Sequence, residues 1–361
     1  MSYDKSNIRF LVTGGAGFIG SAFMRLLAAQ GIDFLLVDAL TYAGNPANVA
    51  GVVPRERFVH ADITDMDTME RLFRQYQPTH LVNFAAETHV DRSVEGPLVF
   101  VRTNVEGTQV LLECARKCPG FQRFVQVSTD EVYGDLPLGT PERFTEASPL
   151  HPSSPYSASK AGADMLALSY HRTFGTPVVI TRCSNNYGPR QFPEKLIPLM
   201  INNMLEHREL PVYGDGLNVR DWIHVVDHCR GILAAALDGT DGEVYNFGAD
   251  CELANITIVK ELIATVRELT TDEAVNESLI RFVGDRPGHD RRYAIDSAKA
   301  RGELGWKPVI DFAEGLRDTV RWYLDNRRWV ENIVNGSYRE YYARMYGNRG
   351  TAAGHSEDKS V

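Results

Sequence analysis

Thr13-Gly14-Gly15-Ala16-Gly17-Phe18-Ile19-Gly20 is the stretch on which the fold turns. It follows Ile8-Arg9-Phe10-Leu11-Val12, an apolar run that reads as a buried strand. It opens a helical pattern (Ala22, Phe23, Leu26, Leu27) that Gly31 stops. A second strand, Phe34-Leu35-Leu36-Val37, ends at Asp38. Strand, glycine loop, helix, strand and acid, in this order, form the βαβ fingerprint of dinucleotide binding. The glycines allow a tight turn and a close backbone approach to a diphosphate, and the helix N-terminus offers N–H groups and a positive dipole end. A carboxylate at Asp38 accepts hydrogen bonds from an adenosine ribose and repels a 2′-phosphate. No Arg follows in Ala39-Leu40-Thr41, so NAD is favoured over NADP. Out of this context the same glycines would be no more than a Gly-rich turn.

The alternation continues outward. Arg57–Asp62 reads as a strand, with Asp62 and Ile63 near where an adenine would lie, and residues 66–76 read as a helix. His80-Leu81-Val82-Asn83-Phe84 is a strand ending in Ala85-Ala86-Glu87-Thr88-His89, whose two alanines would let a cofactor pass close. Residues 104–117 form an amphipathic helix and residues 123–127 another strand. Strands separated by helices imply an α/β fold with a doubly wound parallel (Rossmann) sheet. In such a sheet ligands bind beyond the carboxyl ends of the strands. That edge is where the 123–127 strand delivers Ser128-Thr129-Asp130-Glu131-Val132-Tyr133-Gly134. Adjacent carboxylates beside two hydroxyls suit acid–base work there, although taken alone the stretch is equally a solvated turn.

Tyr156-Ser157-Ala158-Ser159-Lys160 opens a helix running to about Phe174, with Pro155 at its start and Ser153 or Ser154 as cap. Tyr156 and Lys160, four apart, share one helix face. An ammonium there favours phenolate and draws the Tyr pKa down from about 10, giving a general base for an alcohol. Such a pair is frequent in ordinary helices. The glycine loop and the strand end before it are what make it chemical.

With Thr13-Gly14-x-x-Gly17-x-x-Gly20 and Tyr156-x-x-x-Lys160 together, the sequence resembles the extended short-chain dehydrogenase/reductase superfamily. Four further stretches narrow the resemblance to its dTDP-glucose 4,6-dehydratase family. They are the 128–135 run, Ala85-Ala86-Glu87-Thr88-His89-Val90-Asp91-Arg92-Ser93, Ser184-Asn185-Asn186-Tyr187-Gly188-Pro189, and Asp285-Arg286-Pro287-Gly288-His289-Asp290-Arg291-Arg292-Tyr293. The likeness spans about Ile8 to Tyr346. It implies C4 oxidation of a nucleotide-glucose, elimination of water across C5–C6, and hydride return to C6. Tyr156, with Lys160, would take the C4 hydroxyl proton and Thr129 would bond the C4 oxygen. Glu131 would take the C5 proton and Asp130 would protonate the departing C6 hydroxyl. Epimerases of the superfamily, working only at C4, need no such acid pair. Related decarboxylases carry Ser at the position of Asp130, so Asp130 is the discriminating residue.

By the same resemblance, cofactor contacts fall on Gly14, Gly17, Phe18, Ile19, Gly20, Asp38, Ala39, Leu40, Thr41, Asp62, Ile63, Phe84, Ala85, Ala86, Thr103, Tyr156, Lys160 and Asn186. Substrate contacts fall on Thr88, Thr129, Asn185, Lys195, Leu196, Pro211, Tyr213, Arg220, Asn255, Arg286 and His289. A sugar diphosphate wants cations, and Arg220, Arg286, Arg291 and Arg292 stand out for that role. The expected organisation is a NAD-binding Rossmann domain over 1–185, with segments near 222–250 returning to it. A smaller α/β substrate-binding domain takes 186–346, interleaved with the first, and a polar tail over 347–361 is expected to be disordered.

The whole chain bounds the remaining classes. A net charge of −9 over 361 residues argues against nucleic-acid or anionic-membrane partners. Residues 1–9 carry no signal-peptide apolar run, and no 18-residue apolar run suggests a membrane span. Five cysteines without CxxC spacing fit a reduced cytoplasmic setting, and no metal is expected. His89 and His224 are read as structural, since neither has a partner at metal-ligand spacing. The superfamily's helices corresponding to 104–117 and 156–174 pair in homodimers, so a homodimer is expected. The leading expectation is a lyase acting on dTDP-glucose. The alternatives left open are the same reaction on another nucleotide-glucose such as UDP-glucose, and a non-catalytic NAD-binding sensor.

Overall fold

The computed structural model describes residues 7–285 and 289–334. Arg9–Thr13 (β1), Phe18–Ala29 (α1), Asp33–Asp38 (β2), Phe58–His60 (β3), Met66–Tyr76 (α2) and His80–Asn83 (β4) form the first wind. Val90–Glu95 (α3), Pro97–Phe100 (α4), a π turn over Val101–Glu106, Gly107–Lys117 (α5) and Arg123–Thr129 (β5) follow. A one-turn 3-10 helix, Asp130–Tyr133, leaves β5. Then come Pro155–Phe174 (α6), Val178–Cys183 (β6), Asn185–Tyr187 (β7), Leu196–Leu205 (α7), Leu210–Tyr213 (β8) and Val219–His224 (β9). Val225–Asp238 (α8), Val244–Phe247 (β10), Glu252–Ala254 (β11), Asn255–Thr270 (α9), Ile280–Val283 (β12), Ala298–Leu304 (α10), Phe312–Asp325 (α11) and Arg327–Ile333 (α12) complete the order.

Seven strands make one parallel sheet in the order β10-β6-β5-β4-β1-β2-β3. The strand order reverses between β1 and β4, which opens a crevice at their carboxyl ends. Nearly continuous apolar strands, such as Phe10-Leu11-Val12, are what a sheet covered on both faces requires. Leu11, Leu81 and Phe124 pack under α2, α5 and α6 on one face, while Phe10, Val82 and Val125 pack under α1 and α8 on the other. Each such side chain contributes about 1.5–3 kcal/mol by burial. A buried polar row crosses the sheet near its functional edge: Thr13 Oγ1 donates to Asn83 Oδ1 at 2.7 Å, and Asn83 Nδ2 donates to Gln126 Oε1 at 3.0 Å.

Two small sheets, β11-β9-β7 and β12-β8, lie apart from the large one and share a third core with α7, α9 and α11. The return segment is split between the two regions. β10 pairs with β6 in the large sheet and α8 packs against α1, whereas β9 belongs to a small sheet.

Two local differences from the sequence reading matter. The helix expected at 104–117 is an α-helix only from Gly107, because Val101–Glu106 is wound as a wider π turn. Asn104 in that turn is buried and bonds the backbone of Glu87 in both directions (2.8 and 3.0 Å). The strand expected over 123–127 runs on to Thr129, which pairs in register with Cys183. Among the described residues no helix is long and apolar enough to cross a membrane.

Candidate active site

The crevice receives side chains from three directions. The first is the glycine loop. Gly14 has φ +71°, and a Cβ there would stand 2.5 Å from the Ala85 backbone nitrogen. A Cβ on Gly20 would stand 2.3 Å from the Gly14 carbonyl oxygen. Loop and β4 end therefore touch backbone to backbone, and only glycine fits. No side chain caps the first turn of α1 at Gly17, so its N–H groups remain for an anion. Asp38 closes this end: Oδ2 accepts from Ala16 N and Oδ1 from Leu40 N, both at 2.8 Å. Burial, the largest effect, raises its pKa; the two backbone bonds oppose it. Glycine cradle, bare helix N-terminus and buried acid fit a dinucleotide.

The second direction is α6. Ser154 and Ser157 form a reciprocal capping box with Pro155 at the first helical position, so the helix begins one residue before Tyr156. Tyr156, Lys160 and Asp164 then fall on one buried stripe. The Lys160 ammonium donates to the Val127 carbonyl at 2.6 Å. Burial works against the expected tuning of Tyr156. Burial pushes this phenol well above its ordinary pKa, Glu131 and Cys183 add to the rise, and a Thr129 hydrogen bond works against it. Burial likewise lowers the Lys160 pKa, with Asp164 opposing.

The third direction is the turn at the end of β5. Thr129 caps it, its hydroxyl accepting from Glu131 N and donating to Asp130 Oδ1, both at 3.3 Å. Asp130 is 2% exposed and its Oδ2 has no hydrogen-bond partner. Burial raises its pKa well above the carboxylate range. Glu131 and Asp221 raise it further, while Arg220 and the Thr129 bond lower it. Glu131 beside it is only partly buried. Two adjacent carboxyls thus sit in different environments, the arrangement that assigns one as acid and the other as base.

Of the expected cofactor residues, Gly14, Gly17, Phe18, Ile19, Gly20, Asp38, Ala39, Thr41, Asp62, Ile63, Phe84, Ala85, Ala86, Thr103, Tyr156, Lys160 and Asn186 line this crevice. Leu40 does not; it stands at φ +50° with its N–H on Asp38. Of the substrate residues, Thr88, Thr129, Asn185 and Lys195 line it. Leu196, Pro211, Tyr213, Arg220, Asn255 and His289 lie outside the lining. Several of these gather beyond it, with Tyr213 and His289 rings 6.0 Å apart and the Arg220 guanidinium 4.2 Å from the Tyr293 ring. Arg286 lies outside the described residues. Arg291 and Arg292 are ion-paired with Asp215 (2.9 Å) and Glu252 (2.8 Å), so they are not the open cations that the diphosphate argument expects. His224 caps α8, its Nδ1 accepting from Val226 N at 3.3 Å. His89 is buried, 3.8 Å from Glu194 Oε1.

Sequence reasoning missed part of the wall. Tyr42, Glu87 and Glu194 line the crevice, with Arg92 4.1 Å from the Tyr42 ring and 3.3 Å from Glu194 Oε2. Burial raises the Glu194 pKa against the pull of Lys195 and Arg92. The acid inside the apolar run Phe192-Pro193-Glu194-Lys195-Leu196 was a readable signal. Trp329 of α12 had none: it reaches the crevice from 281 residues away, donating to Asn48 Oδ1 at 2.9 Å.

Comparison with known proteins gives concordant results. A family model described as GDP-mannose 4,6 dehydratase matches residues 11–319. The dTDP-glucose 4,6-dehydratase of Neisseria meningitidis serogroup B is 51% identical over 346 residues, covering 92% of this chain and 97% of that protein. The dTDP-glucose 4,6-dehydratase 1 of Escherichia coli is 48% identical over 361 residues, covering 95% and 100%. Among solved structures, the dTDP-glucose 4,6-dehydratase of Streptomyces venezuelae with NAD bound superposes with a TM-score of 0.84 at 50% identity, over 90% of this chain and 100% of that one. The UDP-glucose 4-epimerase of Thermotoga maritima with UDP-glucose gives 0.80 at 32% identity, over 89% and 100%.

Proposed function

The chain belongs to the dTDP-glucose 4,6-dehydratase family, and from that premise we propose that it converts dTDP-glucose to dTDP-4-keto-6-deoxyglucose. The observation that carries the reading is the juxtaposition of a buried Tyr156 on α6 with the unlike carboxyls of Asp130 and Glu131 at the end of β5. An epimerase needs the first alone.

NAD held along Gly14, Gly17, Gly20 and Asp38 would take hydride from C4 and give it back at C6. The chain does the proton work. Tyr156 takes the C4 hydroxyl proton; oxidised NAD, when bound, would supply a positive charge that favours its phenolate. Thr129 holds the C4 oxygen. The C4 carbonyl acidifies C5–H, and Glu131, half open to the crevice, takes that proton and gives one back to C5 when hydride returns to C6. Asp130, whose acid form burial favours, gives its proton to the C6 hydroxyl, which leaves as water. Positioned acid–base groups of this kind contribute about 10²–10⁴-fold each.

Thr88, Asn185, Lys195 and Glu194 serve the sugar side of the crevice, and the Tyr213–His289 region beyond it serves the nucleotide side. The lobe division near residue 185, with β10 returned to the large sheet, is part of the same reading. So is a homodimer: Val94, Leu98 (83% exposed), Val99 and Val101 leave an apolar stretch open on segments that pack against α6, which itself exposes Met165. Five free thiols fit a reduced, cytoplasmic setting.

The test is incubation with dTDP-glucose and, separately, UDP-glucose, following the 4-keto product by its alkaline absorbance. Product from dTDP-glucose at the higher kcat/KM is expected. Preference for UDP-glucose would move the substrate, and no product from either would overturn the function.

A further inference from the structure

Behind the catalytic residues lies a buried ion pair that the reaction does not use. Asp164 is one turn beyond Lys160 on α6 and is fully buried. Its Oδ2 accepts from Arg182 Nε on β6 at 3.0 Å. The same oxygen accepts from Ser128 Oγ on β5, also at 3.0 Å. Arg182 Nη1 donates to the Tyr133 hydroxyl at 3.0 Å, and the guanidinium lies 4.8 Å from the Tyr133 ring centre. The Tyr133 hydroxyl donates onward to Asn246 Oδ1 at 2.8 Å.

Ser128 is the residue two before Asp130, and Tyr133 ends the turn that Asp130 begins. The ion pair therefore grips that turn at its entrance and at its exit. At the entrance it does so from the helix that carries Tyr156 and Lys160, and at the exit from β6. A one-turn 3-10 helix has little rigidity of its own, whereas a 20-residue capped helix has much. A buried pair is weak evidence for stability, because desolvation offsets its Coulomb gain. Its retention here calls for another use.

We propose that Asp164 and Arg182 are positioning residues that fix the elimination turn, Asp130–Glu131, against the redox helix through Ser128 and Tyr133. The proposal rests on the dehydratase reading above. The two half-reactions act on neighbouring carbons of one sugar, so their groups must keep a fixed offset. A displacement of about 1 Å in such a constellation costs on the order of 10²-fold. Asp164 also faces Lys160, whose buried ammonium it favours, so both halves of the site lean on one carboxylate.

Replacing Asp164 or Arg182 outright would strand a buried charge and endanger the fold, so the test cuts the two grips instead. Tyr133→Phe removes only the exit hydroxyl; Ser128→Ala removes only the entrance hydroxyl. Each protein, loaded with NAD, is given dTDP-glucose in deuterated water. C4 oxidation is read from the reduced cofactor's near-ultraviolet absorbance, C5 proton exchange by NMR, and folding by Tm. The expected result is C4 oxidation within about 2-fold of wild type, C5 exchange and water loss down about 10-fold or more, and reduced cofactor building up. A purely structural role would lower both half-reactions in proportion or shift only Tm, and either outcome, like wild-type behaviour of both variants, overturns the proposal. Wild-type protein run alongside must itself oxidise C4. Its failure would overturn the dehydratase reading, and is thereby distinguished from failure of the grip.

Discussion

The helix α6 and the turn Asp130–Tyr133 serve one reaction in the proposed mechanism, but they are built in opposite ways. α6 is 20 residues long, begins at a capping box and Pro155, and ends at Gly175 with φ +69°. Its reactive stripe follows from local rules alone. The turn has four residues, one Thr cap at 3.3 Å, and a buried acid, Asp130, beside a partly buried one, Glu131. Its geometry comes from partners 36 and 49 residues distant, Asp164 for Ser128 and Arg182 for Tyr133. The half of the site proposed for redox is therefore written into local sequence, and the half proposed for elimination depends on tertiary structure.

The largest expected effect separates the halves by order of action. Tyr156→Phe removes the C4 base and stops both, since C5 is not acidified until C4 is oxidised. Turnover should fall by about 10³-fold or more, with neither reduced cofactor nor C5 exchange above background. C5 exchange surviving in Tyr156→Phe would break the comparison.

A smaller effect comes from pH. Asp130 must be protonated to act, and its pKa is raised, so the acid form persists upward from the acidic range and is lost as pH rises through that raised value. Tyr156 must lose its proton to act, and its raised pKa moves that loss toward alkaline pH. Alkaline conditions should therefore speed C4 oxidation and slow water loss. Single-turnover traces at increasing pH should show a growing, longer-lived reduced-cofactor signal. A signal that shrinks with pH would reverse the assignment of acid and base.

The smallest effect probes the local construction of α6. Ser154→Ala removes the cap and should cost about 1 kcal/mol of stability, seen as a Tm lower by a few degrees. It should slow C4 oxidation more than it alters the partition toward water loss. An unchanged Tm would show that packing, not the cap, holds the start of α6.

What the sequence made legible follows the same line. The glycine loop, Asp38 and the Tyr156/Lys160 pair were readable because each chemistry needs fixed residues at fixed short spacing, and the large sheet followed from alternating patterns. Asp164 continued the four-residue spacing of 156 and 160, a signal that went unread because a third polar residue on a helix face is ordinarily solvated. The π turn at Val101–Glu106 left no pattern, since it differs from α-helix by one residue per turn. Arg291 and Arg292 misled because an arginine in sequence does not show its carboxylate. Trp329 could be placed only by the fold, which brings α12 back to Asn48.

The central claim is that Asp130 and Glu131 carry out the elimination and nothing before it. The most direct measurement is a single turnover of the doubly substituted protein, Asp130→Asn with Glu131→Gln, loaded with NAD and given dTDP-glucose. Reduced cofactor should appear and persist, with no water lost and no C5 proton exchanged. Formation of the 6-deoxy product at a rate near that of wild type would contradict the account.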